Sequence, residues 1–290
     1  MRIKSTLENY VLVLPAVIIF SVFYIIPFFS VLQLGFYEWD GILPTKVFVG
    51  FNNFKEIFSD RVWWQALWQS GYITLIALTF QNLLAFLLAW ACDREIRMKN
   101  FYRVLFFIPP VLSEVVVGLV WQWILNGNYG VLNHWLTQLG FSSLTKDWLS
   151  DPNTALTTVA IVHCWKGFGW GFLLFLAGLQ TIPRELYEAA RVDGANAWSS
   201  FKNVTIPLMV PVVIMVGILT ILGTMQVFVL IYTMTGGGPG YHTEVPVLRI
   251  LASMRGSSRF GYACAQGITF GVILCVVSFV QLLVSRRAKN

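Results

Sequence analysis

Long apolar runs alternate with short polar segments along the whole chain. Six runs are about 20 residues or longer, and they cover 11–36, 72–92, 104–125, 155–179, 206–233 and 263–284. A helix of about 20 apolar residues crosses the roughly 30 Å hydrocarbon core of a bilayer, because it satisfies its backbone polar groups internally. The pattern predicts an all-α polytopic membrane protein, with six transmembrane helices in a single domain over residues 1–290.

The composition supports a lipid bilayer as the surroundings. Hydrophobic residues make up 57% of the 290 residues, charged residues only 12%, and the mean hydropathy is +0.68. Soluble domains carry about 25% charged residues. The first run follows Arg2 and Lys4 as a secretory signal would, but it is too long, contains Pro15 and Pro27, and lacks an A-x-A-like cleavage site. We interpret it as a retained helix.

The net charge of +6 is explained by membrane topology rather than by an anionic partner such as nucleic acid. With the N-terminus inside, twelve basic residues fall in cytoplasmic segments: Arg2, Lys4, Arg94, Arg97, Lys99, Arg103, Arg184, Arg191, Lys202, Arg286, Arg287 and Lys289. Seven fall outside (Lys46, Lys55, Arg61, Lys146, Arg249, Arg255 and Arg259), and the intramembrane Lys166 completes the 20. Because cytoplasmic loops carry the excess of Lys and Arg, both termini and the segment 180–205 are predicted to face the cytoplasm.

The chain contains no motif for catalysis or nucleotide binding. No G-x-x-x-x-G-K-[ST], H-E-x-x-H or G-x-S-x-G sequence occurs, and the three histidines lie in separate segments. The glycine-rich run 236–240 lacks the Lys-Ser/Thr of a phosphate-binding loop and is predicted to be an outer turn. The four cysteines have no C-x-x-C spacing. We predict no enzyme activity, no ATP hydrolysis by this chain, no metal site and no bound cofactor.

Two charged side chains, Glu114 and Lys166, are predicted near the middle of the membrane. At 1.5 Å per residue, each lies roughly 16 Å from one end of its own helix. A charge at that depth costs a few kcal/mol, so it usually faces a bundle interior or a water-filled cavity. The hypothesis is that Glu114 and Lys166 pair with one another or both face a permeation pathway. A structural ion pair buried between helices is an equally good interpretation.

Polar residues of the fifth run form a second candidate group. Thr220 and Thr224 share one face through their i, i+4 spacing. Threonine hydroxyls can also bond back to their own helix, so a core role is at least as good an interpretation as contact with a ligand. Gln226 is harder to satisfy locally, which makes it the better candidate.

The segment 180–205 is a charged island between two apolar runs. Pro183 suits an early helical position and Glu185 then lies near the positive end of the helix dipole, so a short helix is predicted to begin there. Gly194 can end this helix by adopting a positive φ, and 195–203 is predicted to form a second short helix. A helix-turn-helix across the cytoplasmic face is typical of a docking element rather than of a passive connector.

The sequence E-A-A at 188–190, followed by Gly194 and by V-T-I-P at 204–207, resembles the EAA signature of ABC importer permeases. The signature usually ends I-x-L-P, and this chain departs from it conservatively. W-D-G at 39–41, L-P at 14–15 and T-G-G-G-P-G at 235–240 are similar to sugar permease subunits of the maltose and lactose type. The resemblance covers nearly the whole chain. It implies the type I permease fold of ABC importers and a role in binding-protein-dependent sugar transport.

The resemblance also implies the partners. Similar permeases form a heterodimer with a second, related membrane subunit and receive substrate from an extracytoplasmic solute-binding protein. Two cytoplasmic ABC ATPase subunits bind ATP and Mg and dock on the EAA segment. The residues implied to contact an ATPase are Glu188, Ala189, Ala190, Asp193 and Gly194. The implied location is the cytoplasmic membrane of a bacterium or an archaeon.

Maltose-type subunits line their sugar site from the helices that flank the EAA segment, which correspond here to the regions 166–170 and 220–226. The candidate pathway residues are Glu114, Lys166, Gly167, Trp170, Thr220, Thr224 and Gln226. A polyol or glycerol phosphate is the alternative substrate. A proton-coupled transporter that uses Glu114 and Lys166 is the alternative of a different class. Because a few pocket residues and a separate binding protein decide specificity, the sequence does not identify the sugar.

Overall fold

The structure, a computed structural model, describes residues 2–94 and 98–287. Two of the basic residues used to predict the topology, Arg97 and Lys289, lie outside the described residues. Helices dominate the described part of the chain, where the only sheet is the antiparallel pair β1 (Tyr37–Glu38) and β2 (Val47–Phe48). Tyr37 is opposite Phe48 in this pair, and Glu38 is opposite Val47. The predicted all-α class is confirmed.

Five helical stretches are long and apolar enough to cross a bilayer: Tyr10–Leu34, Arg61–Asp93, Ala155–Gln180, Ala197–Met225 and Phe260–Leu283. A sixth candidate is the pair Lys99–Val111 and Glu114–Ile124, whose axes differ by 93°. Residues 2–94 and 98–287 therefore contain six candidate spans if the bent pair counts as one. This is the number that the apolar runs predict.

The chain divides into two compact units. The first contains the residues up to Arg61 together with Arg249–Ile273, and the second contains Val62–Leu248 and the residues from Leu274 onward. A single domain over residues 1–290 stays a prediction.

The helices of the first unit are α1 (Arg2–Phe20), α2 (Ile26–Leu34) and α3 (Asn52–Ser59). α4 (Arg61–Ile76) begins at the boundary, and the second unit continues with α5 (Asn82–Asp93), α6 (Lys99–Val111), α7 (Glu114–Ile124), α8 (Val131–Gln138), α9 (Ala155–Gln180), α10 (Arg184–Val192), α11 (Ala197–Ser200), α12 (Ile206–Met225) and α13 (Val229–Met234). α14 (Pro246–Arg255) and α15 (Phe260–Arg287) have residues in both units. π-Helical turns at Ser21–Ile25, Ala77–Gln81 and Phe201–Thr205 join α1 to α2, α4 to α5 and α11 to α12, and Ser142–Leu144 forms a 3₁₀ turn.

Polar contacts hold the short elements of the first unit together. The buried Asn53 side chain on α3 donates from Nδ2 to the carbonyl oxygens of Gly35 and Tyr37, each at 3.0 Å. The Arg259 guanidinium donates two parallel hydrogen bonds of 2.6 Å to the Glu56 carboxylate, and this pairing holds the pKa of Glu56 below its usual value. The pair is well exposed, so it contributes at most about 1 kcal/mol to stability.

The structure corrects the prediction of one helix over 104–125. α6 ends at Val111 and α7 begins at Glu114, because Leu112 and Ser113 have extended ψ angles of 142° and 136°. Pro109 and Pro110 lack the N–H groups that would bond to the preceding turn, so they weaken the helix immediately before the break. Glu114 is consequently the first residue of a helix rather than a mid-helix position.

The structure also corrects the predicted bounds of the fifth span, 206–233. One helical stretch runs from Ala197 through the π-helical turn at Phe201–Thr205 to Met225. The predicted second short helix over 195–203 is therefore the beginning of this span. α12 ends where Gln226 adopts a φ of −99° and a ψ of 8°, and α13 follows separately. Hydropathy does not detect this end, because the sequence after Gln226 is apolar as well.

α9 is the most buried of the long spans within the described residues, and it packs against α5, α6 and α12. Phe168, Phe172 and Phe175 form the middle of this buried face. Lipid tails are as apolar as these side chains, so close van der Waals packing rather than the hydrophobic effect holds the helices together. Small residues permit the close approach of α9 to α5, since a Cβ on Gly171 would lie only 3.2 Å from the Cβ of Ala85.

Gly169→Ala is expected to destabilise the folded protein by about 2 kcal/mol. The added Cβ would overlap the carbonyl oxygen of Phe106 and lie 2.6 Å from Pro110 Cγ, and neither group can move aside cheaply. Gly223 on α12 is the matched control, because no atom lies within 4 Å of its Cβ position. Thermal unfolding in detergent measures both variants. Equal melting temperatures for Gly169→Ala and Gly223→Ala would contradict the packing described here.

Candidate functional site

Four helical segments of the second unit line an open cavity of about 380 Å³. They are the π-helical turn before α5, the first turn of α7, the middle of α9, and α12. The lining combines polar and apolar groups: Gln81, Glu114, His163, Lys166, Gly167, Trp170, Gly171, Leu174, Val216, Leu219, Thr220, Gly223 and Thr224. The cavity thus brings together all of the predicted pathway residues except Gln226.

The break between α6 and α7 creates two helix ends, and Glu114 and the ammonium group of Lys166 lie at them. Glu114 begins α7, so its carboxylate is near the positive end of that helix dipole. Lys166 Nζ donates to the carbonyl oxygen of Pro110, in the last turn of α6, at 3.4 Å. The negative helix end there favours a cation. Each charge is therefore stabilised by a helix end, and the two do not form an ion pair in the described structure.

α9 presents an open aromatic ring to the cavity. Trp170 is 58% exposed within this chain, and its ring meets Phe107 edge-on with the ring centroids 5.2 Å apart. Phe107 fixes the orientation of the indole, and the remaining face stays free. An aromatic face of this kind packs against apolar C–H groups of a ligand.

Thr220 and Thr224 lie one turn apart on α12, and both hydroxyls have protein partners. Thr220 Oγ1 donates to Asn82 Oδ1 at 3.1 Å. Thr224 Oγ1 lies 2.7 Å from Thr74 Oγ1 and donates to the carbonyl oxygen of Thr220 at 2.8 Å. These bonds tie α12 to α4 and α5, which supports the core interpretation of the two threonines.

Gln226 lies outside the cavity lining. Its side chain is exposed, and Nε2 donates to the carbonyl oxygen of Leu222, one turn earlier, at 3.2 Å. The expectation that this amide is hard to satisfy within its own helix is wrong. Carbonyl groups in the last turn of a helix have no intrahelical N–H partner, so α12 itself offers an acceptor.

The predicted cytoplasmic helix-turn-helix is formed by α10 and the start of α11. Pro183 precedes α10 with an extended ψ of 132°, so this proline lies just outside the helix instead of in its first turn. Gly194 has a φ of +79°, as predicted for the residue that ends this helix. The Gly194 N–H donates to the carbonyl oxygen of Arg191 at 3.0 Å. The turn thus depends on a conformation that glycine adopts most easily.

The residues predicted to contact an ATPase are accessible in this chain. Glu188, Ala189, Asp193 and Gly194 are exposed, and Ala190 is half-buried. The neighbouring Val192 is 87% exposed, an unusual value for an apolar side chain on a folded helix. On the opposite side of α10, the Tyr187 hydroxyl lies 2.9 Å from Thr205 Oγ1. This hydrogen bond links α10 to the helix that continues into α12 and borders the cavity.

Residues 81–290 match the family described as binding-protein-dependent transport system inner membrane component. This match covers well over half of the chain. The chain belongs to this family. The resemblance to ABC importer permeases that the EAA signature indicates is confirmed, and the permease is a multi-pass membrane protein.

The permease is similar to several proteins over nearly its full length. It is 33% identical over 289 residues to the "Probable ABC transporter permease protein YurN" of Bacillus subtilis (strain 168), with 99% of both chains covered. It is 30% identical to the trehalose/maltose transport system permease protein MalF of Thermococcus litoralis, with 98% of this chain and 92% of the relative covered. A chain in the crystal structure of a bacterial ABC transporter involved in the import of the acidic polysaccharide alginate is 25% identical, with a TM-score of 0.85 and coverage of 100% and 98%. The type I permease fold is confirmed.

Two polar side chains of the permease's cavity, Gln81 and His163, were not among the residues that the sequence singled out for the pathway. His163 lies three positions before Lys166, and residues at i and i+3 share a helix face. Gln81 and Asn82 are the two amides in the mainly apolar run over 72–92. The spacing of His163 and the two amides are both visible in the sequence. The amides are missed when only charged residues are considered as candidates.

Proposed function

We propose that the permease passes a sugar or oligosaccharide into the cell by alternating access, driven by ATP hydrolysis in a separate subunit. The observation that carries this proposal is the cavity, in which charged and amide side chains lie beside the open Trp170 ring. Two similar proteins are named for trehalose and maltose and for alginate, which are carbohydrates. These names favour a sugar over a polyol or glycerol phosphate.

The cavity supplies the two kinds of contact that a sugar requires. A sugar ring presents C–H groups on its faces, and these pack against an aromatic ring such as Trp170. Its hydroxyl groups both donate and accept hydrogen bonds, so they suit the Glu114 carboxylate as acceptor and the Lys166 ammonium as donor. One cation and one carboxylate in the same cavity balance each other. These two opposite charges suit a substrate whose contacting part carries no net charge.

In this proposal, the exposed surface of α10 and its turn binds an ABC ATPase subunit. Closure of the ATPases displaces α10, and the Tyr187–Thr205 contact passes the displacement to α12. Two ATPases, a second homologous permease subunit and an extracytoplasmic solute-binding protein complete the importer in a bacterial or archaeal cytoplasmic membrane. ATP and Mg²⁺ belong to the ATPases. Among residues 2–94 and 98–287 of this chain, no group of three or more His, Cys, Asp or Glu is placed to hold a metal ion.

Reconstitution tests the proposed function. The permease is co-purified with its cognate membrane and ATPase subunits and placed in proteoliposomes that contain ATP. Radiolabelled maltose, trehalose or glycerol 3-phosphate is added outside together with the solute-binding protein. We expect accumulation of a sugar that requires internal ATP and the binding protein and that is unaffected by a protonophore.

Two results would contradict the proposal in different ways. Uptake that persists without ATP and collapses with a protonophore would indicate a proton-coupled transporter. Uptake of glycerol 3-phosphate, with neither sugar accumulated, would indicate the alternative substrate class.

A further inference from the structure

One polar group in the cavity wall has no hydrogen-bond partner among the described residues. The Gln81 side chain is only 7% exposed, and its Oε1 atom is buried and unpaired. Most buried side-chain acceptors in folded proteins are paired, because leaving one unpaired carries a free-energy penalty. The Gln81 side chain borders the cavity, but this oxygen has almost no accessible surface, so the amide must turn toward the cavity before it can pair there. A molecule that enters the cavity and draws the amide toward it supplies the missing hydrogen bond.

The adjacent helix α9 leaves room for this amide. A Cβ atom on Gly167 would lie 2.7 Å from Gln81 Oε1 and 3.0 Å from its Cδ. Any side chain at residue 167 would therefore displace the amide. Gln81 also ends the π-helical turn Ala77–Gln81, and single π-helical turns within α-helices are frequent at functional sites. Two separate helices thus contribute to the placement of one side chain.

Two other polar groups of the cavity, on Lys166 and Thr220, have a protein partner. The Lys166 ammonium donates to a backbone carbonyl, and the Thr220 hydroxyl donates to Asn82. Elsewhere in the described chain, Gln266 is fully buried with both polar side-chain atoms unpaired, but it is not among the residues that line the cavity. Gln81 combines an unpaired buried amide with a position in the cavity wall.

We propose that Gln81 binds a hydroxyl group of the transported sugar, and that Gly167 is a positioning residue that leaves space for this contact. The proposal rests on the proposed function. A hydroxyl group donates and accepts, so it can pair with either end of an amide. The amide is then satisfied only while the sugar occupies the cavity, and a sugar that lacks this hydroxyl leaves the acceptor unpaired. Discrimination between sugars follows from that difference.

The test uses the complete reconstituted importer with radiolabelled maltose and trehalose and their monodeoxy analogues. Gln81→Met keeps the length of the side chain and removes the amide. We expect it to raise KM for uptake about tenfold, which corresponds to the loss of one hydrogen bond, and to change kcat less than about twofold. One deoxy analogue lacks the hydroxyl that Gln81 binds. For that analogue, Gln81→Met and the wild type should have equal KM values, because neither makes the hydrogen bond. Gln266→Met is the matched control and should leave KM unchanged.

Gly167 provides a second variant that retains the amide. Gly167→Ala should raise KM in the wild-type background, because the new methyl group displaces Gln81. In a Gln81→Ala background the methyl group has space, so the same substitution should have less than about a twofold effect. Non-additivity of this kind is the mark of two residues that act through one contact.

The possible results distinguish a failure of the proposed function from a failure of the proposed role of Gln81. If the wild-type importer accumulates neither sugar, the proposed function fails and the role of Gln81 fails with it. If the wild type accumulates sugar while Gln81→Met behaves like Gln266→Met, only the role of Gln81 is overturned. A KM increase that is the same for every deoxy analogue, together with additive effects of Gly167→Ala and Gln81→Ala, also overturns it, because a loss of packing would act equally on all substrates.

Discussion

Proline in place of Gly194 is expected to lower ATP-coupled sugar uptake at least about tenfold, equivalent to about 1.4 kcal/mol, and to reduce co-purification of the ATPase subunits. Gly194 ends α10 with a φ of +79°, whereas the proline ring fixes φ near −65°. Proline also removes the N–H that bonds to the Arg191 carbonyl oxygen at 3.0 Å. No atom lies within 4 Å of the Cβ position, so the change acts through the backbone and re-aims α10 relative to the start of α11.

Gly140 is the matched control for this substitution. It has a φ of +83° and no atom within 4 Å of its Cβ position, and its N–H donates to the carbonyl oxygen of Thr137 at 3.1 Å. Proline therefore introduces the same local change, but in the turn after α8 and outside the proposed ATPase contact. Gly140→Pro should retain ATPase co-purification. If Gly194→Pro and Gly140→Pro have the same effect on uptake and on bound ATPase, the assignment of α10 as the coupling element is wrong.

The turn at Gly194, which ends α10, could be predicted from the sequence. A glycine after a short amphipathic segment specifies both the end of a helix and a positive φ, because few other residues adopt that conformation. The structure confirms this at Gly194. Pro183, which the sequence predicts in an early helical position, is instead the residue immediately before the helix. The missing N–H of proline costs no intrahelical hydrogen bond at either place. The conformational preferences of single residues determine this turn, and those preferences can be read from the sequence.

The backbone geometry that shapes the cavity could not be predicted from the sequence. Hydropathy measures composition along a run and not the direction of the helix axis, so the 93° bend between α6 and α7 is invisible to it. Because of this bend, Glu114 lies at the start of α7 and the Lys166 ammonium lies beside the last turn of α6. Of the two alternatives predicted for these charges, an ion pair or a shared pathway, the described residues do not show the ion pair. Hydropathy does not register the π-helical turn that ends at Gln81 either, because such a turn changes the backbone hydrogen bonding and not the composition.

The same bend sets the expected result for Lys166→Met. We expect uptake to fall at least about tenfold, equivalent to about 1.4 kcal/mol, while assembly with the partner subunits stays normal. The long contact of 3.4 Å with the Pro110 carbonyl oxygen is the hydrogen bond found for this ammonium among the described residues. An interaction with a helix end contributes about 0.3–1 kcal/mol, so its loss is tolerated by the fold. An ammonium carries three donors, and those left over by Pro110 are available to the substrate.

Two further variants decide between a pathway role and a structural role for Lys166. Lys166→Arg keeps the charge near the end of α6, so it should assemble like the wild type and retain more uptake than Lys166→Met. Lys146→Met removes an exposed lysine from the segment between α8 and α9 and should change neither assembly nor uptake. The measurements are the yield of intact complex by size-exclusion chromatography and the initial rate of uptake per complex. If Lys166→Met lowers the yield while each remaining complex transports at the wild-type rate, Lys166 stabilises the broken helix and does not contact the substrate.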